Sequence, residues 1–365
     1  MRILIVAGLA GPGSIAGGVW SVASEQAAWL RGQGHQVSLV GGWLGNSPPN
    51  DGNTYIRVRQ LIPGGGLKFL VGAGWIPTLR SLIRQNDLVH IHLARDFMTT
   101  SALSLASTRR VVVQPHGMIS VARTPETKVF DFFFKKKYLE APVRWISITT
   151  REQEELLQFG VHGDRIIRID NAISQPLANP VKEIGSLKVG FLSRLHARKN
   201  PRLFTAAASH FKSNTRIKFL IAGPDQGELP GILTDLKTLD LETTTAYLGP
   251  LTRQASLDFL SNLDILILPS VGEIAPMVVL EAAALGKAIV LTADCGLSEE
   301  LKQDEAALII QPHVEEIVEA VELLAKDGNL RASLGKRAKK HYLEHWSIES
   351  MGRSLSSLYE EVLGE

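Results

Sequence analysis

A chain of 365 residues exceeds what one hydrophobic core usually serves, so two domains are expected. With 45% hydrophobic and 21% charged residues and a formal net charge of +2, the composition is that of an ordinary globular protein and gives no reason to expect nucleic acid as a partner. The single cysteine, Cys295, excludes an internal disulfide and a cysteine-built zinc site, and fits a reducing cytoplasm.

Residues 2–7 read as a buried parallel strand, followed by a glycine-rich loop, a helix over 19–31 closed by Gly32 and Gly34, and a second strand over 36–40. This is a βαβ unit, right-handed by the crossover rule. No residue from Ile3 to Ser24 is charged, which imitates a short leader peptide. Pro12 and the glycines Gly8, Gly11, Gly13, Gly17 and Gly18 break any apolar helix there, and a first strand with its loop accounts for the run. The loop lacks an ordered G-x-G-x-x-G and no acid ends the second strand, so a nicotinamide cofactor is not expected.

Residues 42–54 and 62–75, the latter with Gly64, Gly65, Gly66, Phe69 and Trp75, read as irregular segments of the kind that carries ligand specificity. Residues 88–92 form a strand in which His90 and His92 share a face; with no third ligand nearby in sequence they read as polar residues at a strand end, not as a metal site. Residues 110–117 form a buried strand running out into His116–Gly117, where an α/β protein sets a cleft residue; a histidine bonded to backbone is the alternative.

The stretch 129–138, with Phe130, Phe132, Phe133 and Phe134 beside Lys135, Lys136 and Lys137, has two readings. The favoured one puts the phenylalanines in the core and the lysines in water; the other lays the segment on an anionic bilayer. A strand over 144–149, a helix over 151–158 and a strand over 165–170 complete this half, and 174–185, with Pro176 and Pro180, reads as the linker.

Periodicity restarts with a strand over 187–192. In the turn that follows, Arg194 and Lys199 suit a diphosphate clamp, since a planar guanidinium and a mobile ammonium can share one anion; solvated surface charge is the alternative, and Arg198 has no assigned role. A strand over 216–222 ends in Gly223, and 245–251 forms another strand and turn ending in Leu251. A buried strand over 263–269 leads through a loop holding Glu273 into a helix with Pro276 at its first position. Met277 and Val278 then offer free amides, Ala275 lies beside them, and Glu281 follows about two turns along. The result is an anion pocket flanked by two acids, unless Glu273 merely caps the helix and Glu281 is solvated. Strands over 288–292 and 306–310 and amphipathic helices over 314–326, 329–345 and 348–363 close the chain.

Glu273 and Glu281, separated by seven residues and followed by Ala282, resemble the E-x7-E signature of the retaining family 4 glycosyltransferases. Arg194-Leu195 with Lys199 resembles that family's Arg-Leu…Lys motif, Gly17–Gly18 its paired glycines, His116–Gly117 its His-Gly step and Gly223–Pro224 a turn it shares. Ile274, Ser193 and Ala172 depart from it, standing where most members have glycine.

The resemblance implies the α/β GT-B fold, two Rossmann-like doubly wound domains facing across a cleft. Residues 1–178, with a returning helix over 347–365, would bind acceptor, and residues 186–346 would bind the nucleotide sugar. It implies retaining, metal-independent transfer of a hexose from a UDP-sugar, UDP-glucose being the first candidate, to a saccharide or lipid-linked acceptor. By the same resemblance His116, Glu273, Arg194 and Lys199 are catalytic. Gly17, Gly18, Gly223, Leu251, Ala275, Pro276, Met277, Val278 and Glu281 join Arg194 and Lys199 in holding the donor. No cofactor, metal or nucleic acid is expected. The setting implied is the cytoplasm, at the inner membrane face if the acceptor is lipid-linked. A sugar-nucleotide epimerase on the same scaffold and a nucleotide-sugar-binding protein without turnover stay open.

Overall fold

The computed structural model describes residues 1–11, 17–45, 47–60, 70–106, 110–121, 124–177 and 185–364. The glycines Gly64–Gly66, Pro180 and the expected boundary at 178 lie outside them. The chain forms two compact units, residues 1–172 with 348–365, and residues 173–347.

In the first unit the elements are β1 (Arg2–Leu9), α1 (Gly17–Gly32), β2 (Gln36–Trp43), β3 (Thr54–Arg57), the short pair β4 (Arg59–Gln60) and β5 (Leu70–Val71), α2 (Trp75–Gln85), β6 (Leu88–His92), α3 (Phe97–Leu105), β7 (Arg110–Val113), α4 (Pro125–Glu140), β8 (Val143–Ser147), α5 (Thr150–Phe159) and β9 (Ile166–Arg168). Seven strands make one parallel sheet in the order β3-β2-β1-β6-β7-β8-β9. Order reverses between β1 and β6, where Ile5 pairs with His90 and Ala7 with His92. The central strands are buried on both faces, which is why β1 reads as an unbroken apolar run after Arg2, while β6 carries His90 and His92 between its apolar residues.

The second unit repeats the plan. Its elements are β10 (Leu187–Leu192), α6 (Pro201–Ser209), β11 (Ile217–Ala222), α7 (Leu229–Thr238), β12 (Thr245–Tyr247), α8 (Arg253–Ser261), β13 (Ile265–Leu268), α9 (Met277–Ala284), β14 (Ala288–Thr292), α10 (Ser298–Gln303), β15 (Leu308–Ile310), α11 (Val314–Lys326) and α12 (Gly328–His341). The sheet order is β12-β11-β10-β13-β14-β15, again all parallel, with the reversal between β10 and β13. A π-helical turn, Tyr342–Trp346, ends the unit, and the Ile173 amide donates to the Trp346 carbonyl at 3.1 Å. Trp346 is wholly buried in this unit's core. The last helix, α13 (Ile348–Leu363), belongs to the first unit, where Gly352 lies against the Trp29 ring.

Several element ends differ from the sequence reading. α1 begins at Gly17, not at residue 19, so the paired glycines form its first turn; β2 runs on to Trp43. α9 begins at Met277, which puts Pro276 one position before the helix instead of at its first residue; extended backbone at Pro276 (ψ 117°) keeps it out. α4 departs most from expectation. Phe130 is buried and Phe134 packs on the core, but Phe132 and Phe133 are 83% and 67% exposed. A single helix cannot turn four phenylalanines inward when two of them fall on its outer face. Among the described residues no helix is long and apolar enough to cross a membrane.

Candidate functional site

In a doubly wound sheet, ligands bind beyond the carboxyl ends of the strands where order reverses. In the second unit that place is made by the turn after β10 and the loop after β13. The first holds Arg194 and Lys199, the second Glu273. Lys199 closes a 3-10 turn, residues 197–199, after which Asn200 adopts a left-handed conformation (φ 50°) and Pro201 opens α6. The Asn200 side chain donates to the Pro269 carbonyl at 2.8 Å, tying the turn to the end of β13.

Lys199 and Glu273 meet directly, Nζ to Oε1 at 2.5 Å, with little of either side chain exposed. Arg194 is exposed on the same turn, and no hydrogen bond or ion pair holds its guanidinium among the described residues. The loop carrying Glu273 is fixed from two sides. Arg198 accepts the Val271 amide at its carbonyl (2.8 Å) and donates from Nη2 to the Gly272 carbonyl (2.8 Å). The Gly272 amide donates to Asp294 Oδ2 at 2.7 Å, and the Gly296 amide to the Glu273 carbonyl at 2.7 Å. A side-chain clamp and a turn after β14 thus set the acid's backbone before any ligand arrives.

No side chain caps α9. Its first amides, at Met277 and Val278, therefore stay open toward an anion, with the helix dipole behind them, an effect of about 0.3–1 kcal/mol at an exposed site and up to ~2 kcal/mol when partly buried. Ala275, Met277 and Val278 are half-buried and Pro276 is buried. Glu281 is buried in the second turn and pairs with Arg253 on α8 at 3.3 Å. Gly223 ends β11 at φ 141°; a Cβ there would lie 1.8 Å from the Ser193 carbonyl oxygen, so only glycine lets the two turns touch. Its carbonyl accepts from the Tyr247 hydroxyl at 2.9 Å, and its amide donates to the Gly249 carbonyl at 2.9 Å. Leu251, half-buried, follows in the same turn.

The first unit sets a different chemistry at its strand ends. His90 and His92 stack at 4.8 Å between ring centroids, and His92 stacks on His116 at 5.0 Å. His92 Nδ1 lies 2.7 Å from His116 Nε2, and His90 Nδ1 lies 2.7 Å from the Tyr359 hydroxyl of α13. The sequence singled out His116 as a cleft residue but did not place it in one stack with His90 and His92. Burial holds His90 and His116 down at about 3 and His92 well below its ordinary value, so the stack is neutral. His116 and Gly117 both take positive φ, 52° and 74°, and the turn is held by Glu152: its carboxylate accepts the Gly117 amide and, at 2.7 Å, the Ile148 amide. Burial raises Glu152 to about 7. Gly17 and Gly18 start α1, with no acid in its first turn.

Arg198, Arg253, Asp294 and Glu152 were not singled out in sequence for these roles. Little local marks them: apart from the Ile148 amide beside Glu152, the partners named here lie 22 to 74 positions away.

With this geometry in view, the comparisons are consistent. The profile of "Glycosyltransferase Family 4" matches residues 16–175 and that of "Glycosyl transferases group 1" matches residues 178–341. A D-inositol 3-phosphate glycosyltransferase of Kribbella flavida is 22% identical over 285 residues, 70% of this chain and 66% of that protein. An N,N'-diacetylbacillosaminyl-diphospho-undecaprenol α-1,3-N-acetylgalactosaminyltransferase of Campylobacter jejuni is 38% identical over 119 residues, 32% of this chain and 31% of that one. The chain thus spans from about a third to two thirds of these relatives' length. Among solved structures, HepE of Anabaena in complex with UDP superposes with a TM-score of 0.78 at 14% identity, and with UDP-glucose at 0.76 and 15%; each covers 99% of this chain and 100% of that one. The chain belongs to the family 4 glycosyltransferases and has their GT-B fold.

Proposed function

We propose that the chain transfers a hexose, with retention of anomeric configuration, from a UDP-sugar to a saccharide or lipid-linked acceptor in polysaccharide or glycolipid assembly on the cytoplasmic side. UDP-glucose is the first donor to try, a choice supported by the fold neighbour solved with it. The observation that carries the reading is the Lys199–Glu273 pair at the switch point of the second unit, beside an uncapped helix start and an exposed Arg194.

In this reading the donor diphosphate takes the Met277 and Val278 amides and draws Arg194 and the Lys199 ammonium to its oxygens. Leaving-group charge grows as the glycosidic bond breaks, and two cations with fixed amides stabilise it without requiring a metal. Glu281, held by Arg253, accepts hydrogen bonds from the ribose hydroxyls. Glu273, released from Lys199, and His116 are assigned to the transferred sugar. A neutral imidazole suits that task, since it can donate or accept a hydrogen bond without adding charge beside an oxocarbenium-like transition state.

The experiment is donor turnover with a panel of nucleotide sugars, with and without acceptor, for wild type, Lys199→Ala and Glu281→Ala. Acceptor-dependent transfer lost in both variants supports the proposal; wild-type turnover by the variants contradicts it. Release of an altered sugar without acceptor would show an epimerase instead.

A further inference from the structure

We propose that the outer face of α4 is a docking surface for an anionic lipid bilayer. Val129, Phe132, Phe133 and Lys136 stand at i, i+3, i+4 and i+7 and so share one helix face. The three apolar residues are 61%, 83% and 67% exposed.

They are not loose. Phe132 rests on Phe133 (ring centroids 5.2 Å), Phe133 on Phe134 (6.5 Å) and Phe134 on the buried Phe130 (4.6 Å), so the outer rings are seated on rings anchored in the core. Thr124 caps the helix by a capping box with Thr127, and Pro125 opens it, which fixes the element without help from a partner.

Cations flank the apolar face. Lys128, Lys136 and Lys137 are exposed; Glu140 reaches only Lys136, at 3.7 Å. Lys135 turns inward over the Phe159 ring, 4.7 Å from its centroid, and takes no part. Beside Phe133 lies a groove of about 340 Å³ lined by Leu103, Ala141 and Pro142 together with Lys136, Lys137 and Glu140.

Rings that enter the acyl boundary while lysines stay at the phosphates match an interfacial helix. A second copy is the poorer occupant, because an antiparallel twofold contact centred on Phe132 and Phe133 would bring Lys128 of one copy beside Lys137 of the other. Among the described residues no helix is long and apolar enough to cross a bilayer, and the contact proposed for α4 is a peripheral one.

The surface deepens the lipid-linked reading of the acceptor, and the test separates the two. Full-length protein without donor or acceptor is floated with vesicles of phosphatidylcholine alone or mixed with phosphatidylglycerol. The protein should float with the mixed vesicles, less so as salt rises. Phe132→Ser with Phe133→Ser should weaken partitioning on the order of 100-fold, and Lys136→Gln with Lys137→Gln about tenfold, on anionic vesicles only. Both doublets lie on the surface, and an unchanged thermal midpoint would certify their folding. The proposal is overturned if wild type ignores anionic vesicles, if the serine doublet floats like wild type, or if that doublet instead dissolves a dimer seen in sedimentation. Floating without any transfer activity would sink the enzymatic reading and leave this surface standing.

Discussion

The two sheets share one strand order, yet their carboxyl ends carry opposite chemistry. In the first unit β6 and the turn after β7 end in three stacked, neutral histidines, His90 and His92 buried and His116 half-buried, with the buried Glu152 holding the backbone beside them. In the second, the same edge carries side chains in charged pairs, Lys199 with Glu273 and Glu281 with Arg253, next to an exposed Arg194 and an open helix start. The fold fixes where a ligand can sit, while the residues at the strand ends decide what it can be. Neutral hydrogen-bonding groups in low dielectric suit hydroxyls; paired charges that can exchange partners suit a diphosphate.

The comparison breaks most sharply at the charged edge. Lys199→Ala or Glu281→Ala should lower kcat/KM for the donor by about 10²–10³, because each loses a ligand contact and Lys199→Ala also leaves the shielded Glu273 carboxylate without its cation. Steady-state kinetics check it, with circular dichroism to confirm the fold. Gly223→Ala should cost on the order of 2–4 kcal/mol of stability, since its Cβ has no room beside Ser193 and its φ is unsuited to alanine. Urea unfolding would measure this, and an unchanged midpoint would contradict the close approach of the two turns.

The neutral edge predicts a pH profile. The histidines have folded pKa values below their unfolded 6.5, so the unfolded state binds more protons and stability falls as pH drops below about 6.5. Two buried acids act in the other sense: burial raises Glu152 to about 7 and Asp96 to about 6, from 4.5 and 3.8. Their folded forms hold the extra proton, so between those limits their contribution is present at low pH and lost as pH rises. Between pH ~6 and ~4.5 the histidines outweigh the two acids, so stability falls as pH drops, and it falls more steeply below as the acids cease to oppose. Denaturant titrations at stepped pH should find stability nearly level around neutrality and lost as pH falls below about 6. A flat profile from pH 7 to 4 would mean that the stack is hydrated or charged.

The smallest effect is expected at Arg198. Arg198→Ala removes one exposed hydrogen bond to the Gly272 carbonyl, about 1 kcal/mol, and should raise the donor KM roughly fivefold with kcat little changed.

Most of the architecture was legible because parallel strands buried on both faces leave apolar runs along the sequence; β1, β13 and β14 are examples. The motif residues were legible because strand-to-helix turns keep them local in sequence, as with Arg194 and Lys199. What escaped reading depends on topology. Tyr359 reaches His90 from 269 positions away, and Arg253 reaches Glu281 from a neighbouring helix. Helix starts slipped by one or two residues at Gly17 and Met277, where glycine and proline each permit more than one entry. The outer phenylalanines of α4 were misplaced because hydrophobicity was counted without the helical turn that sends Phe132 and Phe133 outward.

The most direct test is a crystal of the full chain soaked with UDP. The account predicts density for the diphosphate at the Met277 and Val278 amides, with Arg194 and Lys199 turned onto its oxygens and the ribose hydroxyls on Glu281. UDP bound elsewhere, with Lys199 still on Glu273 and Arg194 in bulk solvent, would contradict it.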